Sequence, residues 1–156
     1  MKVYFGSDHA GFELKQDLMV FAKSLGHEVI DFGDTKPEPD DDYPDYIAPV
    51  AKAVSKDPTA KGIILGGSGE GEAIMANRFP GVRAVLYYGG NMEIVMLSRL
   101  HNDANILSLG ARFVPSPEAR HAVKIWLETD FSGDARHIRR IGKIEQITKL
   151  LSKILY

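Results

Sequence analysis

Five short runs of mostly apolar and β-branched residues, separated by stretches of helical periodicity, limit most strongly how this chain can fold. The runs are Lys2–Phe5, Glu28–Phe32, Gly62–Leu65, Ala84–Tyr88 and Ile106–Leu109. They are largely apolar rather than alternating, the pattern of strands covered on both faces. Leu14, Leu18, Phe21, Ala22 and Leu25 recur at helical spacing, and Gly26 ends that helix as a C-terminal cap. A second helix is expected from about Pro44 to Ser55, with Pro44 in its first turn. Asn91 is the expected N-cap of a helix reaching Asn102, and Pro117 that of one running toward Glu128. Strand–helix units in unbroken series predict an α/β fold: a Rossmann-like α/β/α sandwich around a five-stranded parallel sheet. Residues 1–156 are then one domain, the size of chain that buries a sufficient core without staples. A C-terminal helix over 135–154 follows the core. Its stripe of Ile138, Ile141, Ile144, Ile147, Leu151 and Ile154 needs a covering surface, in the domain or in another subunit.

Composition excludes several function classes. Without cysteine there is no disulfide, thiolate metal site or thiol nucleophile. No apolar stretch approaches the roughly 20 residues of a membrane span, and no signal peptide precedes the first strand, so a cytoplasmic location is expected. A net charge of −2 argues against nucleic-acid binding. The charge is unevenly spread: residues 1–45 hold 4 basic and 11 acidic side chains, and residues 112–156 hold 9 and 5. The basic C-terminal third suits a small anion, a subunit contact or simply a solvated face. Residues 33–43 form one long polar loop. Its Asp40-Asp41-Asp42 run lacks the spacing and glycine of a calcium loop and reads as a solvated acidic loop.

Open parallel sheets bind ligands beyond the carboxyl ends of their strands. Those ends carry Gly6-Ser7-Asp8-His9-Ala10-Gly11, then Gly66-Gly67-Ser68-Gly69-Glu70-Gly71-Glu72, then Gly110-Ala111-Arg112. The second loop lets backbone N–H groups approach an anion, yet it matches neither the dinucleotide fingerprint nor the P-loop. Two readings of Glu72 stay open. It is a first-turn glutamate favoured by the helix dipole, which lowers its pKa, or it is a proton-transfer base beside an oxyanion hole. His9 and His101 are each capping or surface residues by default, but they are read here as meeting at one active edge of the sheet. No pair has zinc-ligand spacing, and no metal is expected. Arg136 and Arg140 share a helix face, with Lys143 close by, which suits a phosphate or bulk water.

Taken in order, these motifs resemble the ribose-5-phosphate isomerase B family, which also includes galactose-6-phosphate isomerase subunits. The matching segments are GSDHAGFELK at 6–15, DDYPDY at 41–46, GGSGEGEAIMANRFPGVRA at 66–84, SRLHNDANILSLGAR at 98–112 and ARHIRR at 135–140. The resemblance implies an isomerase interconverting ribose 5-phosphate and ribulose 5-phosphate without a cofactor. Many members place a cysteine base where this chain has Gly66; another branch has glycine there and a glutamate in the place of Glu72. It further implies ring opening by Asp8 and His101, proton transfer by Glu72, and an oxyanion site of Gly67, Gly69, Glu70 and Gly71 backbone with Ser68 assisting. His9, Arg112, Arg136 and Arg140 are implied to hold the phosphate and Asn102 a sugar hydroxyl, in a homodimer, or a tetramer built from it, whose sites draw on both chains. The alternatives are an isomerase of a six-carbon sugar phosphate (allose or galactose 6-phosphate), a non-catalytic phosphosugar-binding protein and a flavodoxin-like nucleotide binder.

Overall fold

The structure, a computed structural model, describes residues 1–155 apart from the side chains of Ser152 and Leu155; Tyr156, the last residue of the expected domain, lies outside the described residues. Five strands alternate with helices: β1 Lys2–Ser7, α1 Phe12–Ser24, β2 Glu28–Asp31, α2 Tyr43–Lys56, β3 Lys61–Gly66 and α3 Glu70–Ala76. Then come β4 Ala84–Tyr87, α4 Glu93–Asn102, β5 Ile106–Gly110, α5 Ser116–Glu128 and α6 Ala135–Leu155. All strand pairs are parallel, in the order β2-β1-β3-β5-β4. The expected α/β/α sandwich with its C-terminal helix is therefore present.

Strand alternation sends successive side chains into two separate cores. Val3, Phe5, Ile63, Leu65, Leu107 and Leu109 face α1, α4 and α5, where they meet Leu18, Ala22, Val95, Ala122 and Trp126. Ile64 and Ile106 face α2 and α3 and pack on Ile47, Val50, Ala51, Val54 and Ala76. Right-handed crossovers require this division. Connections that move one way along the sheet put their helices on one face, and those that move back use the other.

Local signals place most boundaries within two residues. Gly26, at φ 87°, ends α1 as expected, with the His27 N–H donating to the Ala22 carbonyl. The Asn91 side chain accepts from the Glu93 N–H at 2.9 Å, although the N-cap position itself falls on Met92. Pro115, not Pro117, is the N-cap of α5, and Pro117 sits in the first turn. Pro49 lies inside α2, where a proline ordinarily costs about 3 kcal/mol. Buried Ile47, Val50, Ala51 and Val54 pin the helix on both sides of it, and that packing outweighs the lost hydrogen bond.

A buried ion pair ties α1 to the loop after β2. Lys15, fully buried, donates from Nζ to both Asp31 carboxylate oxygens at 2.8 and 2.7 Å and to the Asp34 carbonyl at 3.0 Å. All three of its donors are used, as a buried ammonium requires. Helix α6 is anchored near its start and at its middle. Buried His137 stacks on His101 of α4 with ring centroids 4.4 Å apart, and Arg83 pairs with Glu145 at 3.6 Å. Along the rest of α6, Ile138, Ile144, Ile147, Leu150, Leu151 and Ile154 are each at least half exposed. No helix among the described residues is long and apolar enough to cross a membrane.

Replacing Lys15 with alanine leaves Asp31, whose side chain is 25% exposed, without its cation. Chemical denaturation of Lys15→Ala should show a loss near the lower end of the roughly 3–5 kcal/mol typical of a broken buried pair. An unchanged midpoint would show that the pair contributes nothing.

Candidate active site

The register of the sheet assembles one cluster at the carboxyl ends of its central strands. Ser7 pairs with Leu65, and Gly66 pairs with Gly110, so Asp8, the glycine loop and Arg112 emerge side by side. Asp8 turns the chain by accepting from the Ala10 and Gly11 N–H groups at 3.0 and 3.3 Å. The loop of residues 67–69 then folds flat over the ends of β3 and β5. Gly69 has φ 79°, and a Cβ there would stand 2.9 Å from the Leu109 carbonyl carbon, so the turn requires glycine. Ser68 Oγ accepts from the Glu70 N–H at 3.3 Å and opens α3. Glu70 is exposed, whereas Gly71 lies against the Tyr43 ring.

Glu72 is the buried acid of this cluster, at 4% exposure. Its carboxylate fills the space that a side chain on Gly66 would need. A Cβ at position 66 would lie 1.8 Å from Glu72 Oε1 and 2.1 Å from Cδ. Burial pushes the Glu72 pKa up and the nearby negative charge of Asp8 adds to this, while its own backbone N–H opposes. The helix dipole was expected to lower that pKa. In a helix of only seven residues desolvation wins, and the carboxylate is a stronger base than an exposed one.

His9 lies at the rim of the same cluster, and Asp41 holds it at two points. The His9 N–H donates to Asp41 Oδ2 at 2.9 Å, and His9 Nδ1 lies 2.5 Å from Oδ1. The Asp41 side chain is only 5% exposed, so the expectation of a solvated acidic loop fails at this residue. Arg112 is exposed and lies over Gly67, with Nη1 3.3 Å from where a Cβ there would be. Asp8, His9 and Asp41 each offer a ligand atom within 4.8 Å of the others, the span of a cation site. His9 Nδ1 and Asp8 already have partners, so a metal would have to displace those hydrogen bonds.

The remaining predicted residues are elsewhere. His101 and Asn102 end α4, and the Asn102 carbonyl accepts from Arg83, just before β4, at 3.1 Å. They therefore sit at the amino edge of the sheet, opposite Asp8 and Glu72. The expectation that His9 and His101 share an edge within one chain is wrong. Helices antiparallel to the strands return the chain to the far side before the next strand begins. Arg136 and Arg140 are exposed on α6, which docks beside His101. Asp41 and Tyr43 are the residues at the cluster that motif reading left without a role. The DDYPDY segment was the only sign of them.

The shared space at position 66 is testable. Gly66→Ala must expel the Glu72 carboxylate or shift β3, so whatever turnover depends on Glu72 should fall by about 10²-fold, the scale of a misplaced catalytic group. A fully active, normally stable Gly66→Ala protein would contradict this geometry.

Comparison with known proteins agrees with the architecture and the order of motifs. The Ribose/Galactose Isomerase family profile matches residues 3–144. Ribose-5-phosphate isomerase B of Mycolicibacterium paratuberculosis is 43% identical over 141 residues, covering 90% of this chain and 87% of the relative. The Clostridium thermocellum ribose-5-phosphate isomerase B structure superposes with a TM-score of 0.91 at 44% identity, over 97% of this chain and 99% of that one. The Mycoplasma genitalium enzyme, solved with bound ribulose-5-phosphate, gives a TM-score of 0.90 at 36% identity, over 95% and 96% of the two chains. With its glycine loop, strand-end acids and sheet order in place, this chain belongs to the ribose/galactose isomerase family.

Proposed function

We propose that this protein is a cofactor-independent aldose–ketose isomerase of the cytoplasm, interconverting ribose 5-phosphate and ribulose 5-phosphate. The observation that carries the chemistry is the buried Glu72 carboxylate beside the glycine loop, with its pKa raised by desolvation. Its relatives named ribose-5-phosphate isomerase B support the substrate.

The reaction needs a ring opening and two proton transfers. Asp8 and a His101 side chain move the proton between the anomeric hydroxyl and the ring oxygen, giving the open aldehyde. Glu72 takes the C2 proton as the C1 carbonyl becomes an enediolate. Loop N–H groups of residues 67–71 stabilise the negative oxygen, and Ser68 passes the proton between O2 and O1. Glu72 then returns its proton to C1 as the C2 carbonyl forms, leaving the base as it began. Burial serves this cycle, because a carboxylate with a raised pKa gains more by accepting a proton. A glutamate base working with an imidazole is also the arrangement of another sugar-phosphate isomerase on an unrelated fold, an analogy only.

One chain does not bring His101, Asn102, Arg136 and Arg140 to Glu72. The exposed isoleucines of α6 supply the reason for a second copy, since a symmetric pair buries them and carries the residues beside them across. Each site of such a homodimer combines Asp8, His9, the loop, Glu72 and Arg112 of one chain with His101, Asn102, Arg136 and Arg140 of the other. His9 and the three arginines hold the phosphate, and Asn102 holds a sugar hydroxyl.

Incubation with ribose 5-phosphate should yield ribulose 5-phosphate, read by a ketose assay; no ketose would overturn the assignment. Glu72→Gln should lower kcat by about 10²-fold or more with KM little changed. The same variant should be more stable at neutral pH. Glu72 has a folded pKa above its unfolded one, so its contribution favours folding below the unfolded value and is lost as pH rises through the folded value. A thermal melt of Glu72→Gln at neutral pH should thus show a higher Tm than wild type, with the gain vanishing in acid. Site sharing has its own test, the co-refolding of Glu72→Gln with His101→Ala. Random pairing makes half the dimers mixed, each with one intact site, so up to about a quarter of wild-type activity should return. Mixed dimers without activity would place both residues in one chain's site.

A further inference from the structure

Asp41 belongs to a loop that charge composition assigns to solvent, yet it is the most closely engaged acid near the cluster. One carboxylate oxygen accepts the His9 backbone N–H at 2.9 Å, and the other lies 2.5 Å from His9 Nδ1. The loop itself is held in place by buried Lys15, which grips Asp31 and the Asp34 carbonyl. This two-point contact fixes the ring and also decides its proton. A carboxylate only accepts, so Nδ1 must carry a hydrogen. A neutral ring would then present Nε2 as a bare lone pair, which repels a phosphate oxygen. Only the doubly protonated ring presents an Nε2–H donor. His9 Nε2 has no partner among the described residues, and the side chain is 32% exposed.

We propose that Asp41 is a positioning residue that keeps His9 cationic, so that the free Nε2–H donates to the substrate phosphate with a full positive charge behind it. This rests on the reading of His9 as a phosphate ligand and adds the group that makes it one. Three charged groups face the imidazole. Asp41, in the loop before α2, and Asp8, after β1, favour the cation; Arg112, after β5, opposes it. The hydrogen bond to Asp41 outweighs desolvation, which acts the other way, and the His9 pKa is raised above the ordinary histidine value. Arg112 and a cationic His9 repel one another across the mouth of the loop, and a dianion bound between them relieves that repulsion. Binding of phosphate and protonation of His9 therefore reinforce each other.

The test compares wild type, Asp41→Asn and His9→Asn. An asparagine at 41 keeps the size but offers one acceptor and an NH2 group, so it cannot accept both His9 bonds. With the NH2 group against Nδ1 it selects a neutral ring whose Nε2–H donor lacks the charge. The KM for ribose 5-phosphate should rise about five- to tenfold near pH 7.5 in Asp41→Asn, as a charge-assisted hydrogen bond becomes a neutral one, with kcat nearly unchanged. The ratio of mutant to wild-type KM should fall toward one near pH 5.5, where His9 is protonated in both; the ionisation of the substrate cancels from that ratio. A purely structural loss would raise KM by the same factor at every pH, which would overturn the proposal. NMR titration of the His9 ring without substrate gives a readout that needs no activity. The midpoint should lie above about 6.5 in wild type and drop toward it in Asp41→Asn. A wild-type midpoint at or below that value would overturn the proposal even if Asp41→Asn failed to fold. His9→Asn separates the two readings: normal KM in this variant removes His9 from the phosphate, while the NMR result still decides whether Asp41 sets its charge.

Discussion

Two groups cannot occupy one volume, and the site depends on how that conflict is settled at the end of β3. With glycine at 66, the carboxylate of Glu72 folds inward and fills the place of a Cβ. This forces a charged group out of water in front of a loop of backbone donors, and its pKa rises as a result. A cysteine at 66, the arrangement of other family members, would claim the same space. On the proposed reading of Glu72 as the base, base identity and backbone space are one choice, and a site holding both groups would collide with itself. The cost falls on stability, because a buried acid with a raised pKa opposes folding at neutral pH. Catalytic sites commonly keep such strain.

The parallel sheet explains why the remaining residues are not beside Glu72. Every strand ends at one edge and every connecting helix returns to the other. Residues immediately after a strand gather at the carboxyl edge, as Asp8, Gly67 and Arg112 do. Residues that end a helix, such as His101 and Asn102, gather at the amino edge. The proposed homodimer answers the separation, because a two-fold axis would set the amino-edge residues of one chain against the carboxyl edge of its partner. The half-exposed isoleucines of α6 offer apolar surface to such a contact, and the stacked His101–His137 rings fix α6 to α4 within the chain.

Much of this was legible in the sequence because it is governed by local rules. Strand hydropathy, the Gly26 cap and the strand-end loops each depend on residues a few positions apart, and they emerged with small boundary shifts at Asn91 and Pro117. What escaped depends on contacts between distant residues. Asp41 meets His9 across 32 positions, and no composition rule distinguishes it from exposed Asp40 and Asp42. The direction of the Glu72 pKa escaped for the same reason. The helix dipole is readable from position in the chain, whereas desolvation follows from what the finished fold packs around the group. Pro49 inside α2 shows the same hierarchy, with tertiary packing overriding a local preference.

The uneven charge along the chain acquires a physical meaning from these contacts. Part of the acidic first third is turned toward internal partners. Asp8 is spent on the turn after β1, Asp31 on Lys15, Asp34 on the Thr35 N–H and the Tyr46 hydroxyl, and Asp41 on His9. These acids shape the loops around the cluster through hydrogen bonds to internal partners, and Asp31 is paired with the buried Lys15 cation. The basic side chains of the last third are spent differently, since Arg136, Arg139, Arg140 and Lys143 stand exposed on α6. In the proposed dimer, a compact dianion entering between chains would find cations from the partner's α6, together with Arg112 and His9. Asp8 and Asp41, the acids nearest His9, are already committed to hydrogen bonds. On the proposed function, a site for a phosphorylated sugar then needs no positively charged protein as a whole, only a fold that turns the acids nearest the site inward and leaves arginines exposed beside it.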